Sequence, residues 1–81
     1  MLLKGNGKMT MLDQLKSGEL ARIVAIDGEH ELRQKLFSRG ITEDSIVRVI
    51  SSYGLITFEI GRKTFAIGHG MAQKISVIKV I

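Results

Sequence analysis

Two histidines, His30 and His69, are the only imidazoles in this chain, and it has no cysteine. A metal site would have to join them to a carboxylate such as Glu29, Glu31 or Glu43, since divalent metals of intermediate softness take imidazole nitrogen and carboxylate oxygen. The run Glu29-His30-Glu31 does not supply that set, because adjacent residues on a helix point in different directions. No ligand spacing accompanies it. His30 reads more simply as an exposed residue at a helix start. His69 stands between Gly68 and Gly70, where backbone can come close to a ligand, yet an ordinary loop histidine accounts for it. Ser38, Ser45, Ser51 and Ser52 have no histidine and carboxylate arranged around a nucleophile elbow. Gly5-Asn6-Gly7-Lys8 lacks the preceding strand and the downstream Lys-Ser/Thr of a phosphate loop. No catalytic, cofactor-binding or metal-ligating residue is assigned, and the chain does not read as an enzyme.

What remains is surface. Arg33, Lys35 and Arg39 come from one helix and its end, and Arg62 and Lys63 from a hairpin. Small barrels grip nucleic acid by setting such cations beside aromatics on which bases stack. Here the aromatics are one tyrosine and three phenylalanines, with Phe37, Phe58 and Phe65 at inward-facing positions, so Tyr53 is the one exposed ring. Twelve Lys and Arg against eight Asp and Glu give +4, spread along the chain rather than gathered in a block. That balance permits an acidic partner without identifying one, and nucleic acid is not expected. A second feature is apolar excess: Leu20, Val24, Ile26, Ile46, Ile50 and Leu55 lie on faces not needed for the interior. Exposed apolar patches mark protein contacts. The expectation is contact with a protein partner or a second copy of the chain, with Arg33, Lys35, Arg39, Tyr53 and Leu55 as candidate partner-binding residues.

The elements that must position these residues follow from period. Between Glu29 and Ile50 the pattern changes halfway. Leu32, Leu36 and Phe37 give the stripe of a helix with one buried face, and Gly40 ends it by taking a left-handed conformation at little cost. From Ile46 the period is two, with Val47 and Val49 on one face. Before the helix, Leu20–Ile26 reads as a first strand with Ala21, Ile23 and Ala25 on one side. After it, Ile46–Ser51 is the second strand. Leu55–Ile60 is the third, with Ile56, Phe58 and Ile60 together. Gly61-Arg62-Lys63 turns tightly into a fourth strand, Thr64–Ile67. Gly68 to Ala72 is a loop or single turn, and Ile75–Ile81 is the fifth strand, with Ile75 and Val77 inward. Near the start, Thr10 with Asp13 three residues on reads as a capped helical turn that packs Met11, Leu12 and Leu15. Residues 1–8 read as a flexible arm, and 9–81 as one domain.

A single helix cannot cover both faces of a sheet, so the strands must bury their apolar sides against each other as a small, partly open barrel with the helix across one opening. At 81 residues with 44% apolar content, the chain folds as one domain but buries only roughly 60–65% of its unfolded surface, which leaves little margin for poor packing. The lack of cysteine fits a reducing compartment. No run reaches the length of a membrane span, and the N-terminus lacks the pattern of a secretory signal. The cytoplasm is expected.

Taken in order, Leu12-x-x-Leu15-x-x-Gly18, Ala21-Arg22-Ile23-Val24-x-Ile26-x-Gly28, Leu32-x-x-x-Leu36-x-x-x-Gly40-Ile41-Thr42, Val47-x-Val49, Phe65-Ala66-Ile67 and Ala72-x-x-Ile75-x-Val77 resemble the FeoA family. These are small cytosolic accessory proteins of bacterial ferrous-iron uptake. The resemblance covers residues 9–81. It implies a mainly β, five-stranded SH3-like barrel, and a partner, the membrane ferrous-iron transporter FeoB, whose cytoplasmic part carries a GTP-binding domain that such a protein would modulate. It carries over no catalytic, metal or cofactor residue. The chain departs from the family where a usual Pro-Gly after the helix is Glu43-Asp44, where the hairpin glycine is Gly61 rather than one place later, and where Gly70-Met71 replaces a common Ser-Glu. Two other readings stand beside it. Similar barrels form the C-terminal domain of DtxR-type iron-dependent repressors, which makes a detached metal-responsive module the alternative. A small basic nucleic-acid-binding barrel is the third, with salt-sensitive affinity as its signature.

Overall fold

The computed structural model describes residues 8–80; residues 1–7 of the expected arm, and Ile81, lie outside the described residues. The chain runs β1 (Met9–Met11), a 3-10 turn (Leu12–Gln14), β2 (Leu20–Ile26), α1 (His30–Ser38), β3 (Ile46–Ser51), β4 (Ile56–Ile60), β5 (Lys63–Ile67), a one-turn α2 (His69–Ala72) and β6 (Ile75–Lys79). The strands form one antiparallel sheet in the order β1-β6-β2-β3-β4-β5. It is a mainly β, small barrel-like fold, as the alternation predicts, with β1 and β5 at its two ends.

Among the described residues the sheet has six strands rather than five. Thr10 does not cap a helix: it sits in β1 opposite Val77, and the 3-10 turn that follows has no side-chain cap. Pairing with β6 bonds one edge of 9–11, so the helical start signal is overridden by a strand partner 65 or more residues away in sequence. Leu12 and Leu15 still reach the core, but Met11 stays exposed.

The interior is built from alternate residues of the strands. Ala21 and Ile23, Val47 and Val49, Ile56 and Phe58, and Ile75 and Val77 are all buried. Two register shifts interrupt the alternation, at Ile23/Ala25 and at Val49/Ser51. A bulge puts two residues opposite one, so it reverses which side the following residues face. Ala25 therefore pairs with the half-buried Ser76, and Ile26 pairs with the buried Ile75 and packs on the core. Period two alone puts these two residues the other way round.

The helix end fixes which residues of α1 look inward. Gly40, at φ +96°, lets the Gly40 N–H donate to the Phe37 carbonyl at 2.9 Å and the Ile41 N–H to the Leu36 carbonyl at 2.9 Å. This is a Schellman motif, which pairs the third residue from the helix end with the second residue beyond it. Those residues are Leu36 and Ile41, and both are buried. Phe37, one residue on and about 100° round the helix, is turned away. The expectation that Phe37 faces inward is therefore wrong, and it is 70% exposed.

Asp44 leads into β3 with φ +73°, the one non-glycine residue of positive φ among those described. Its N–H donates to the Ile23 carbonyl at 2.7 Å and its carboxylate sits 3.4 Å from Arg22 Nη1, so the strained residue ties β2 to the β3 entry. Near the other end of β3, Glu19 Oε1 accepts from the Lys16 N–H at 2.7 Å and Oε2 lies 3.0 Å from Lys79 Nζ. The Lys16 hydrogen bond first, then Lys79, hold its carboxyl below the usual range.

Two predictions follow from these contacts. A Cβ in the left-handed region costs roughly 1–2 kcal/mol, which aspartate partly recovers through local hydrogen bonding. Asp44→Ala is expected to lower stability by about 1 kcal/mol, or about 4–8 °C in Tm for a domain of this size, while Asp44→Gly holds or raises Tm in the same melt. For Glu19, the lower folded pKa means that ionisation stabilises the fold above the unfolded value of about 4.3, and that this contribution is lost as pH falls through the folded value. Glu19→Gln is therefore less stable than the parent at neutral pH, and the two stabilities converge as pH falls below the unfolded value of about 4.3 and through the lower folded one.

Candidate functional site

α1 sets cations without an ion-pair partner among the described residues beside an exposed aromatic ring. With Leu36 committed to the core, residues 33, 35, 37 and 39 are exposed. Arg33, Lys35 and Arg39 make no ion pair among the described residues, unlike Arg22, Arg48 and Lys79, which pair with Asp44, Glu59 and Glu19. On one flank Phe37 and Arg33 line a shallow groove with Ile26, Ile41 and His30. On the other flank Lys35 and Arg39 line a groove with Leu36, Ile41 and Phe65 that runs beside β5.

The five candidate partner-binding residues are thus divided. Lys35 and Arg39 share the β5 groove, and Arg33 lies on the opposite flank. Tyr53 and Leu55 are 94% and 54% exposed on the turn between β3 and β4, and neither lines a groove with the α1 cations among the described residues. Of the apolar residues left unassigned to the interior, Leu20, Ile46, Ile50 and Leu55 are exposed, Val24 is half-buried, and Ile26 is drawn onto the core. Leu20 faces Arg48 and Ile46 faces Arg22 across the strands, so paired arginines interleave the apolar side chains of the outer sheet face.

The histidines are separate. His30 is exposed at the start of α1, and Glu29, His30 and Glu31 follow the chain without converging. His69 begins α2, with Nδ1 3.9 Å from Asp13 Oδ2, and Gln73 Nε2 donates to the same oxygen at 3.2 Å. Those contacts fasten α2 to the 3-10 turn. Among the described residues no three of His, Asp and Glu lie close enough to hold a metal ion. No helix there is long and apolar enough to cross a membrane. Sequence reasoning missed Phe37 as a surface residue. The signal was available: a glycine helix stop followed by isoleucine marks residue 36, not 37, as the inward partner.

A family model described as FeoA domain matches residues 10–79. A crystal structure described as an iron uptake regulatory protein (FeoA) is 33% identical, with 90% of this chain and 100% of that chain covered at a TM-score of 0.82. A manganese-dependent transcriptional repressor is 25% identical at a TM-score of 0.82, over 89% of this chain but only 41% of its own. An FeoA protein from Chlorobium tepidum, at 19% identity and TM-score 0.81 over 89% of this chain and 71% of that one, shares the fold. Curated proteins give no significant match.

The placement of Phe37 is checked by stability. Phe58 is fully buried and stacks on Phe65 with ring centroids 5.4 Å apart, so Phe58→Ala is expected to cost roughly 3–5 kcal/mol. Phe37→Ser should stay within about 0.5 kcal/mol of the parent in the same urea titration.

Proposed function

The chain belongs to the FeoA family, and on that premise we propose that it is a non-enzymatic accessory protein that docks on the cytoplasmic part of the FeoB transporter and modulates its GTP-dependent step. A role in ferrous-iron transport follows from the family. The docking reading is supported by one observation above the others: an aromatic ring left 70% exposed on a helix whose neighbouring cations have no ion-pair partner among the described residues. Aromatic rings and arginines are enriched among the few residues that carry most of the binding energy in protein interfaces. The docking surface comprises Phe37 with Arg33 on one flank of α1 and Lys35 with Arg39 on the other, and Tyr53 and Leu55 form a second contact on the β3–β4 turn. The protein works in the cytoplasm, where that part of the transporter lies.

A second reading has its own support. The likeness to a manganese-dependent repressor over 41% of that protein favours a metal-responsive module, and a titration showing tight, stoichiometric ferrous or manganous binding would select it.

Association with the purified cytoplasmic part of FeoB, followed by calorimetry, is expected at tens of micromolar or tighter. Phe37→Ala should weaken it about tenfold or more, the size of a moderate hot spot. No detectable association in that range would rule the docking reading out.

A further inference from the structure

We propose that the free edge of β5 and the groove beside it form a docking site for an extended acidic peptide segment, which would pair with the sheet as an added strand. The argument begins with the phase of the β4–β5 hairpin. Ile60 pairs with Lys63 across the two-residue loop Gly61-Arg62, in which only Gly61 has a positive φ, +62°. In a two-residue hairpin the residues flanking the loop exchange backbone hydrogen bonds, and such bonded pairs then alternate with non-bonded ones. Lys63, Phe65 and Ile67 therefore bond to β4. Thr64 and Ala66 turn their N–H and C=O groups to the outside. β5 is the last strand of the sheet, and no backbone bond to Thr64 or Ala66 from another element occurs among the described residues.

A groove of about 390 Å³ runs along this edge, between β5 and α1. Its floor is apolar, from Leu36, Ile41, Phe65 and Met71, and Lys35 and Arg39 stand along it. No acidic residue lines it, and neither these two cations nor Lys63 at the strand's start has an ion-pair partner among the described residues. An edge strand offers main-chain hydrogen bonds to any sequence, while the side-chain surface beside it selects among them. Here that selection favours an added strand whose inward side chains are apolar at the centre and acidic towards its ends.

A second copy of this chain fits less well. Pairing β5 with itself would bring both sets of Lys35, Arg39 and Lys63 together, and lysine on an edge is a common guard against such pairing. Residues 1–7 carry Lys4 and no acidic residue, so they bring the same sign. This site goes beyond the transporter docking proposed above and is tested without the transporter, so either can fail alone.

The test uses the whole chain, ¹⁵N-labelled, and two acetylated, amidated peptides, TETVTET and TKTVTKT, which differ only in the charge they present on one face. TETVTET is expected to bind saturably at low salt and to slow amide exchange of Thr64 and Ala66 by about tenfold or more. Its affinity should fall with added salt, and TKTVTKT should bind about tenfold more weakly or worse. Ala66→Pro removes one outward donor without touching the β4–β5 ladder, a substitution edge strands tolerate, and should weaken TETVTET by about tenfold. Should that variant unfold, Lys35→Glu with Arg39→Glu serves instead, and is expected to reverse the preference between the peptides. The proposal is overturned by equal binding of both peptides, by protection appearing at Met9–Met11 instead, or by no shift at millimolar peptide. It is equally overturned if sedimentation shows a dimer in which Thr64 and Ala66 are protected without peptide, since a second copy would then own the edge.

Discussion

Each strand turns alternate residues towards one interior, and among the described residues every buried side chain there is apolar. That dry centre is the constraint on which the rest depends. A chain of 81 residues has too little volume to hide a second layer, so burial must be completed by short pieces laid over the openings of the curled sheet. Leu12 and Leu15 come from the 3-10 turn and the residue just after it, Leu36 and Ile41 from the last turn of α1 and the stretch just beyond it, and Ala72 from α2, and all five are buried. None of these pieces is long enough to be stable alone. They hold their shape because each contributes apolar side chains that the strands cannot supply.

Much of this is legible in the residues. The alternation in 46–51, 56–60 and 75–77 identifies inward residues correctly because one face is wet and the other dry, and a one-residue slip would expose the whole set. Gly40 stops α1 where a left-handed residue is required. What the pattern does not disclose is anything set by pairing at long range. Met9–Met11 becomes a strand only because β6 lies beside it, and Thr10 looks like a helix cap without that knowledge. The bulge near Val24 exchanges the roles of Ala25 and Ile26, since a register shift is fixed by the partner strand and not by the sequence that carries it. The candidate site is less legible still. Lys35 and Arg39 could be recognised as exposed, but their meeting with β5 depends on the angle at which α1 crosses the barrel.

Phe37 shows how a small local device decides surface chemistry. Leu36 and Phe37 are both large and apolar, and either could seal the barrel. The Schellman bonds at Gly40 and Ile41 choose Leu36 by fixing the phase of the last turn, and an aromatic ring is left outside as a consequence. Burying Phe37 instead would rotate α1 by about 100°. That would break the Leu36–Ile41 seal and carry Lys35 and Arg39 off the flank beside β5. The exposed ring and the cationic groove are therefore two results of one helix stop.

A similar fold occurs in proteins of different description, an FeoA protein and part of a manganese-dependent repressor. A shared core of this kind transmits little about function, because its residues are chosen for volume and dryness. Differences in work must then lie where the core does not dictate residue type. In this chain those places are the exposed side of α1, the turn at Tyr53 and the outer edge of β5. Closing the sheet between β1 and β5 would give the fold more hydrogen bonds and no edges. The chain instead leaves Thr64 and Ala66 outward and sets cations without an ion-pair partner among the described residues nearby, a charge that disfavours β5 pairing with a like β5 and suits a segment of opposite charge.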